Sequence, residues 1–218
     1  RITDVINPLD NREPGMIDIE DLRLPVGMSK FDYYQDNWNI SAMLVHEYRI
    51  QKEAAFGSDF LPTHIFPLPQ GKAFPAEIFP ESDLAKPQYA LAFNLQFSGG
   101  DIAFYHANVL DSRWHLKRDF SARKYDLIHM SGVAANKVVG SWLIKSEVAH
   151  FSDLIYSGVS SQKSRLDALL GAEYMGITST TFSLELANKH IFDYENSMQN
   201  APNFTNQDES QLAFRTSY

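Results

Sequence analysis

The 218-residue chain contains no cysteine, which excludes disulfides, thiolate metal sites and cysteine nucleophiles. It is also short of positive charge, with 19 Lys and Arg against 27 Asp and Glu, a net charge of −8 and an isoelectric point near 5.3. A nucleic-acid binder needs a basic face to neutralise phosphates, so nucleic acid is excluded as a partner. The one concentration of Lys and Arg lies between Arg113 and Lys124, and it reads as a solvated loop. No apolar run reaches the roughly 18 residues that a membrane-spanning helix requires, and no signal peptide is visible. The chain opens directly into ITDVINPLD and closes on an alternating arm, so it reads as a fragment truncated at both ends. No cluster of His, Asp and Glu has compact metal-ligand spacing, and neither a metal nor a cofactor is expected.

What the chain does have is length in its alternation. Hydrophobic residues make up 44% and charged residues 21%, a composition too apolar for a disordered chain. Within residues 165–194, Leu166, Ala168, Leu170, Ala172 and Tyr174 alternate with Asp167, Leu169, Gly171 and Glu173. After a short polar turn near residue 178, Phe182, Leu184 and Leu186 alternate with Thr181, Ser183, Glu185, Ala187 and Lys189. A period of two places the two sets on opposite sides of a β-strand. Each arm has about ten residues, well beyond the five or six of an ordinary strand.

Three further hairpins follow the same rule. One runs from Met28 with its turn at Gln35-Asp36-Asn37, placing Trp38, Ile40, Ala42, Leu44 and Tyr48 on one face and Asn39, Ser41, Met43, Val45, Glu47 and Arg49 on the other. Another sets Tyr89, Leu91, Phe93, Leu95 and Phe97 against Ala90, Ala92, Asn94, Gln96 and Ser98, with Gly99-Gly100 turning the chain. The last spans residues 124–151 with a turn near 135–137, and groups Ile128, Met130, Gly132 and Ala134 with Trp142, Ile144 and Val148. Residues 1–27 read as an ordered loop after an upstream strand ending near Ile6. Residues 51–87 hold Pro62, Pro67, Pro69, Pro75, Pro80 and Pro87 interleaved with phenylalanines, and read as one long loop that either caps the outside or folds inward as a plug.

Short and long connections alternate along the whole chain. That layout predicts an all-β fold, an antiparallel up-and-down transmembrane β-barrel with tight turns at one end and larger loops at the other. About nine strands are visible in a single domain, residues 1–218, as part of a larger barrel. Strands of 9 to 11 residues suit a tilted bilayer crossing, and a closed sheet satisfies backbone groups that lipid cannot. Trp38, Phe97 and Tyr174 near the short turns, and Tyr48, Tyr89, Tyr125, Phe151, Phe192 and Tyr194 near the long loops, read as interfacial girdles.

The segment ITDVINPLDNREPGMIDIEDLRLPVGMSKFDYYQDNWNIS, with its Asn-Pro-Leu-Asp turn, acidic stretch and Leu-Arg-Leu-Pro element, resembles uncharacterised proteobacterial outer-membrane barrel proteins. The hairpin LLGAEYMGITSTTFSLELANKHIFDY is similar to a later hairpin in the same family. The resemblance implies a bacterial outer-membrane location and assigns no functional residues.

The expected lipid face carries Leu166, Leu170, Phe182, Leu184 and Leu186, and the expected lumen-lining residues are Glu47, Arg49, Asn94, Gln96, Lys145, Glu147, Asp167, Glu173, Glu185 and Lys189. Mixed charges on one inward face suit a hydrated channel for a small solute of unknown identity. They equally suit a network that fills a narrow barrel. The partners expected are outer-membrane lipid, that solute and an envelope protein. Other readings stay open: a barrel hydrolase using His129 or His150 with nearby serines, although no catalytic residue is assigned; a non-conducting structural or adhesion barrel working through residues 51–87; and a soluble sandwich or solenoid whose apolar face is core.

Overall fold

A computed structural model describes residues 2–13, 16, 22–64, 75–78, 86–119 and 121–218. Nine long strands form one antiparallel sheet: β1 (Met28–Tyr34), β2 (Trp38–Val45), β3 (Gln88–Phe97), β4 (Gly100–Leu110), β5 (Leu127–Val139), β6 (Trp142–Leu154), β7 (Lys163–Ile177), β8 (Thr180–Ile191) and β9 (Asp208–Ser217). Each pairs only with its neighbours in sequence, so the topology is a strict up-and-down meander. Among the described residues there is no α-helix, only one 3₁₀ turn at Asn196–Gln199. Gly99 (φ 74°), Gly140 (φ 59°) and Ser179 (φ 57°) take left-handed conformations in three of the four tight turns, as two-residue hairpin loops demand.

The turn between β5 and β6 lies at Gly140-Ser141, not at 135–137 as the sequence pattern predicts. The arms are longer than the pattern showed because Ala134, Ala135 and Asn136 continue the ladder as ordinary strand residues. Moving the turn also separates two groups that alternation had joined. Trp142, Ile144 and Val148 face outward with Val139, Lys137 and Val133, whereas Ile128, Met130, Gly132 and Ala134 face inward.

Cross-strand register identifies the outer face. One row reads Trp38, Leu95, Ile102, Ala135, Ser146, Leu170, Leu186 and Leu212 across eight strands. Leu184 is 50% exposed and Leu170 58%, although both sit in the middle of long strands. A contiguous apolar surface of this extent would drive association in water, but it is what a wall in lipid requires. Along β6 the band runs from Trp142 to His150, roughly 27 Å along the strand and about 20 Å along the axis at a tilt near 40°. At the short-turn end an aromatic belt closes it, with Tyr33 and Trp38 ring centroids 5.7 Å apart and Trp142 and Tyr174 4.8 Å apart.

The inner face differs between its two ends. Near the long loops it is packed: Ala90, Ala107, Val109, Ile128, Met130, Ala149, Phe151, Leu154 and Ile191 form a core with Tyr156 and Met198. Ile2, Val5 and Ile6 pack against this core as an irregular segment, not as the end of an upstream strand. Met130 and Leu154 are fully buried, and each such side chain contributes about 1.5–3 kcal/mol. Phe151 and Tyr125, read from sequence as interfacial aromatics, are instead buried inside, 4% and 2% exposed.

The facing assignment makes a direct prediction. Leu184→Arg places a charge in the lipid band and lowers membrane-assembly stability by about 2–4 kcal/mol. Ser183→Arg, one residue away on the inner face, is tolerated. Refolding into lipid vesicles, followed by heat-dependent gel mobility, compares the two; equal effects would refute the facing.

Candidate functional site

The inner face near the short turns is polar and open. Gln96, Asp101, Asn136, Lys145, Gly171 and Glu185 occupy one cross-strand row. Glu173, Ser183 and Arg215 form the next row toward the turns. A cavity of about 520 Å³ lies over Lys145, Glu173, Ser183, Glu185 and Arg215. A second, of about 410 Å³, shares Lys145 and Glu185 with it and reaches Asp101, Glu147 and Thr3. Lys145 and Glu173 form an ion pair, and Asn136 donates to Asp101 at 2.7 Å. Glu185, Lys189 and Arg215 form no close ion pair among the described residues; Glu185 and Arg215 face the same cavity, and Lys189 stands opposite Asp167 and Glu209 in the ladder. Gly171 leaves room beside Glu185, since a Cβ there would come within 3.3 Å of the Glu185 Cγ.

Of the ten expected lining residues, the structure brings eight onto this one face: Asn94, Gln96, Lys145, Glu147, Asp167, Glu173, Glu185 and Lys189. Asn94 donates to Asn39 at 2.6 Å, and Arg165 grips Asp167 through two contacts of 2.7 and 2.9 Å. Glu47 and Arg49 are not among them. Strand β2 ends at Val45, and both residues belong to the connection after it. Glu47 accepts a hydrogen bond from the Gly27 N–H at 2.7 Å, and Arg49 donates to the Pro25 carbonyl. The alternation appeared to continue through HEYRI because those residues are polar and apolar in turn. The Glu47 and Arg49 side chains are held by the incoming chain at 25–27, and the contact to the neighbouring strand is Gln88 Nε2 donating to the Glu47 carbonyl at 3.0 Å, outside the ladder.

The incoming chain is what sequence reasoning missed. Glu147 projects inward from β6, and its Oε2 accepts hydrogen bonds from the N–H of Ile2 at 2.7 Å and of Thr3 at 3.3 Å. The Thr3 methyl lies against Gly132, where an added Cβ would approach it to 3.1 Å. Farther along, Asp4 pairs with Arg23 at 2.9 Å, and Asp10–Asn11 pairs in parallel with Lys52–Glu53. Residues 2–6 thus lie on the inner face at the level of the small side chains Ala90, Ala92, Ala107, Gly132 and Ala149, and residues 7–11 continue to the connections at 22–24 and 52–53. A signal existed in Ala90 and Ala92 on the face taken as polar, because small residues on a wall admit another backbone.

Above the wall, the long connections pack on one another. Within 51–87, the described residues include two short strands, Lys52–Glu53 and Ala76–Ile78, which the reading as an uninterrupted loop did not foresee. Ala76–Ile78 pairs with Ala122–Lys124, which in turn pairs with His115–Leu116. Arg123 sits 3.0 Å from Glu77 and 3.9 Å from Glu53, and Trp114 Nε1 donates to Glu53 at 2.8 Å. Phe66, Phe74 and Phe79 lie outside the described residues. Burial holds the His115 imidazole below its ordinary pKa, against the opposing pull of Asp126 3.2 Å away.

The serines and histidines weighed as hydrolase candidates face outward, in the polar rim of the band. His106 Nδ1 lies 3.0 Å from Ser131 Oγ, His129 is opposite Ser152, and His150 is opposite Ser131. His129 also lies 3.8 Å from Asp153 and stacks on His106. Among the described residues, no three His, Asp or Glu side chains are arranged to hold a metal ion.

Residues 2–218 match the family described as protein of unknown function DUF1302. No curated protein matches the chain. Among solved structures, the outer membrane channel DcaP of Acinetobacter baumannii is similar at a TM-score of 0.55 and 12% identity. The similarity covers 97% of this chain and 58% of that channel, so the chain spans under two thirds of its structural relative's length.

Asp10 anchors the internal segment to the loops. Arg12, through hydrogen bonds of 2.8 and 2.7 Å, pulls its carboxyl down to about 2, with Lys52 at 3.6 Å adding to the effect. A depressed carboxylate pKa contributes stability that is complete above the ordinary value near 3.8 and is lost as pH falls through about 2. Limited proteolysis of the segment should therefore be constant from pH 7 to pH 4 and rise below that in wild type. Asp10→Asn should show raised cleavage already at pH 7.

Proposed function

The chain belongs to the DUF1302 family, and from that premise and the geometry of its wall we propose that it forms part of an outer-membrane channel that passes a small polar solute. The observation that carries the reading is the division of one continuous sheet into an apolar, exposed outer face and an inner face of adjoining polar cavities lined by charges of both signs. The fold it shares with an outer membrane channel supports the same location and class of role. Rings of charged side chains select solutes by field and hydration, and Glu185, Lys189 and Arg215 supply such charges here. Lipid is the partner of the outer face, and the solute is the partner of the inner one. On this reading the Ser131–His106 pair belongs to the lipid-facing rim and does no chemistry.

Residues 2–6 set the bore. They occupy the inner face where the wall side chains are smallest, so they narrow the passage at the end nearer the long loops. Glu147 holds the segment by satisfying the Ile2 and Thr3 N–H groups, and a hydrogen bond to a charged acceptor is worth about 1.5–3 kcal/mol.

The test is conductance of the full-length protein in planar bilayers. Wild type should conduct in discrete steps, and Glu147→Ala should raise the unit conductance or its fluctuation by releasing the segment. A correctly folded, heat-modifiable barrel that shows no conductance in either form would overturn the channel reading.

A further inference from the structure

In an acidic chain, one cavity has several cations and no carboxylate in its lining. Above β4–β6 at the long-loop end, a hollow of about 450 Å³ lies between residues 115–118, Lys124 and residues 155–160. Four of its lining residues are basic, His115, Lys117, Arg118 and Lys124, and none is acidic. The neighbouring cations are engaged elsewhere: Arg113 grips Asp111 at 2.9 Å and donates to the Tyr156 hydroxyl at 3.0 Å, and Arg123 is held by Glu77. Lys117, Arg118 and Lys124 form no ion pair or side-chain hydrogen bond among the described residues. Two carboxylates lie nearby outside the lining: Asp119, which accepts from Ser121 Oγ at 2.7 Å and is within electrostatic reach of Lys117, and Asp126, 3.2 Å from His115.

The rest of the lining is mostly apolar, apart from Gly158 and Ser160. Leu116, Ile155 and Val159 contribute to it, with the buried Tyr156 beside them. Val159 and Tyr156 continue into the core cluster, so the apolar wall is rigidly backed. The floor is fixed by polar contacts as well: Ser157 Oγ accepts from the Leu116 N–H at 2.9 Å, and Asn203 bonds both the N–H and the carbonyl of Ser157 at 2.9 and 2.8 Å. A concave site of a few hundred Å³, mostly apolar with a few convergent charges, is the general form of a small-molecule pocket.

The geometry points to a binding site at the channel mouth for an organic anion: a carboxylate held by Lys117, Arg118 and Lys124, on an apolar or aromatic body seated against Leu116, Ile155 and Val159. The ammonium and guanidinium groups supply charge-assisted hydrogen bonds, and the apolar wall selects against small hydrated anions. As a capture site that loads the lumen it rests on the channel reading; as a binding site it stands alone.

Calorimetric titration of the full-length protein in lipid nanodiscs tests it with three probes: 2-naphthoate, its neutral isostere 2-naphthamide, and inorganic phosphate. Naphthoate should bind about tenfold or more tightly than either of the others. The Lys117→Gln, Lys124→Gln double variant should lose about tenfold in naphthoate affinity with naphthamide binding unchanged, and Arg118→Gln, an exposed position with no packing role, should lose severalfold. Lys137→Gln, on the outer wall by the short turns, should change nothing. Equal binding of naphthoate and naphthamide, phosphate binding as tight as naphthoate, or unchanged affinity in Arg118→Gln would each overturn the site. Naphthoate binding without conductance would refute the channel while keeping the site, and conductance without naphthoate binding would do the reverse.

Discussion

The constraint on which everything else rests is the pairing of backbone N–H and C=O groups across a wall that faces lipid. In hydrocarbon an unpaired backbone group costs several kcal/mol, so the ladder must run unbroken through the apolar band. It does so from β2 to β8: the register shifts fall between Phe151 and Leu154 and between Tyr174 and Ile177, at the two ends of the strands and outside the band. With pairing fixed, a period of two leaves no freedom in facing. Leu170 must look out if Asp167 looks in, and a slip of one residue would carry Arg165, Asp167 and Lys189 into lipid.

The same rigidity explains why the interior is divided. A wall strand cannot bend away to admit a passing segment, so room has to come from side-chain size. Ala90, Ala92, Ala107, Gly132 and Ala149 provide it at one level, and Glu147 supplies the acceptor that the intruding N–H groups would otherwise lack. Nearer the short turns, the side chains become long and charged, and no segment among the described residues crosses them. Constriction and polar cavity are thus consequences of a change in residue size along the same strands.

How much of this the sequence disclosed follows from how local each feature is. Hairpins and facing are short-range properties, and the alternation in β3, β7 and β8 placed their outer and inner residues without reference to any neighbour. Turns without an obvious glycine pair were less legible: Ala135-Asn136-Lys137 resembled a turn, and only the ladder to Asp101 and Lys145 shows it as strand. Glu47 and Arg49 alternate as a strand would, yet the contact that fixes them is with residues some twenty positions earlier. The internal segment was least legible, because its place depends on Ile2 meeting Glu147, a separation of 145 residues that periodicity does not encode.

The loops above the wall and the segment within it are one mechanical body. Asp10–Asn11 pairs with Lys52–Glu53; Glu53 accepts from Trp114 and faces Arg123; Arg123 lies in the short strand that pairs with His115–Leu116, which borders the basic hollow. Exposed ion pairs contribute only about 0–1 kcal/mol each, and a chain of them alone would not transmit displacement. Here the outer links are backbone ladders, the central ones are side-chain contacts of Glu53, and the cation at the centre is mostly buried, with the Arg123 side chain 12% exposed and held between Glu53 and Glu77. Removing one partner from such a charge costs far more than the pair is worth in water, so Glu53 and Glu77 are both needed to keep Arg123 in place. The internal segment and the loops bordering the basic hollow are therefore not independent regions of the chain, since both are connected to the cluster of Glu53, Trp114, Glu77 and Arg123.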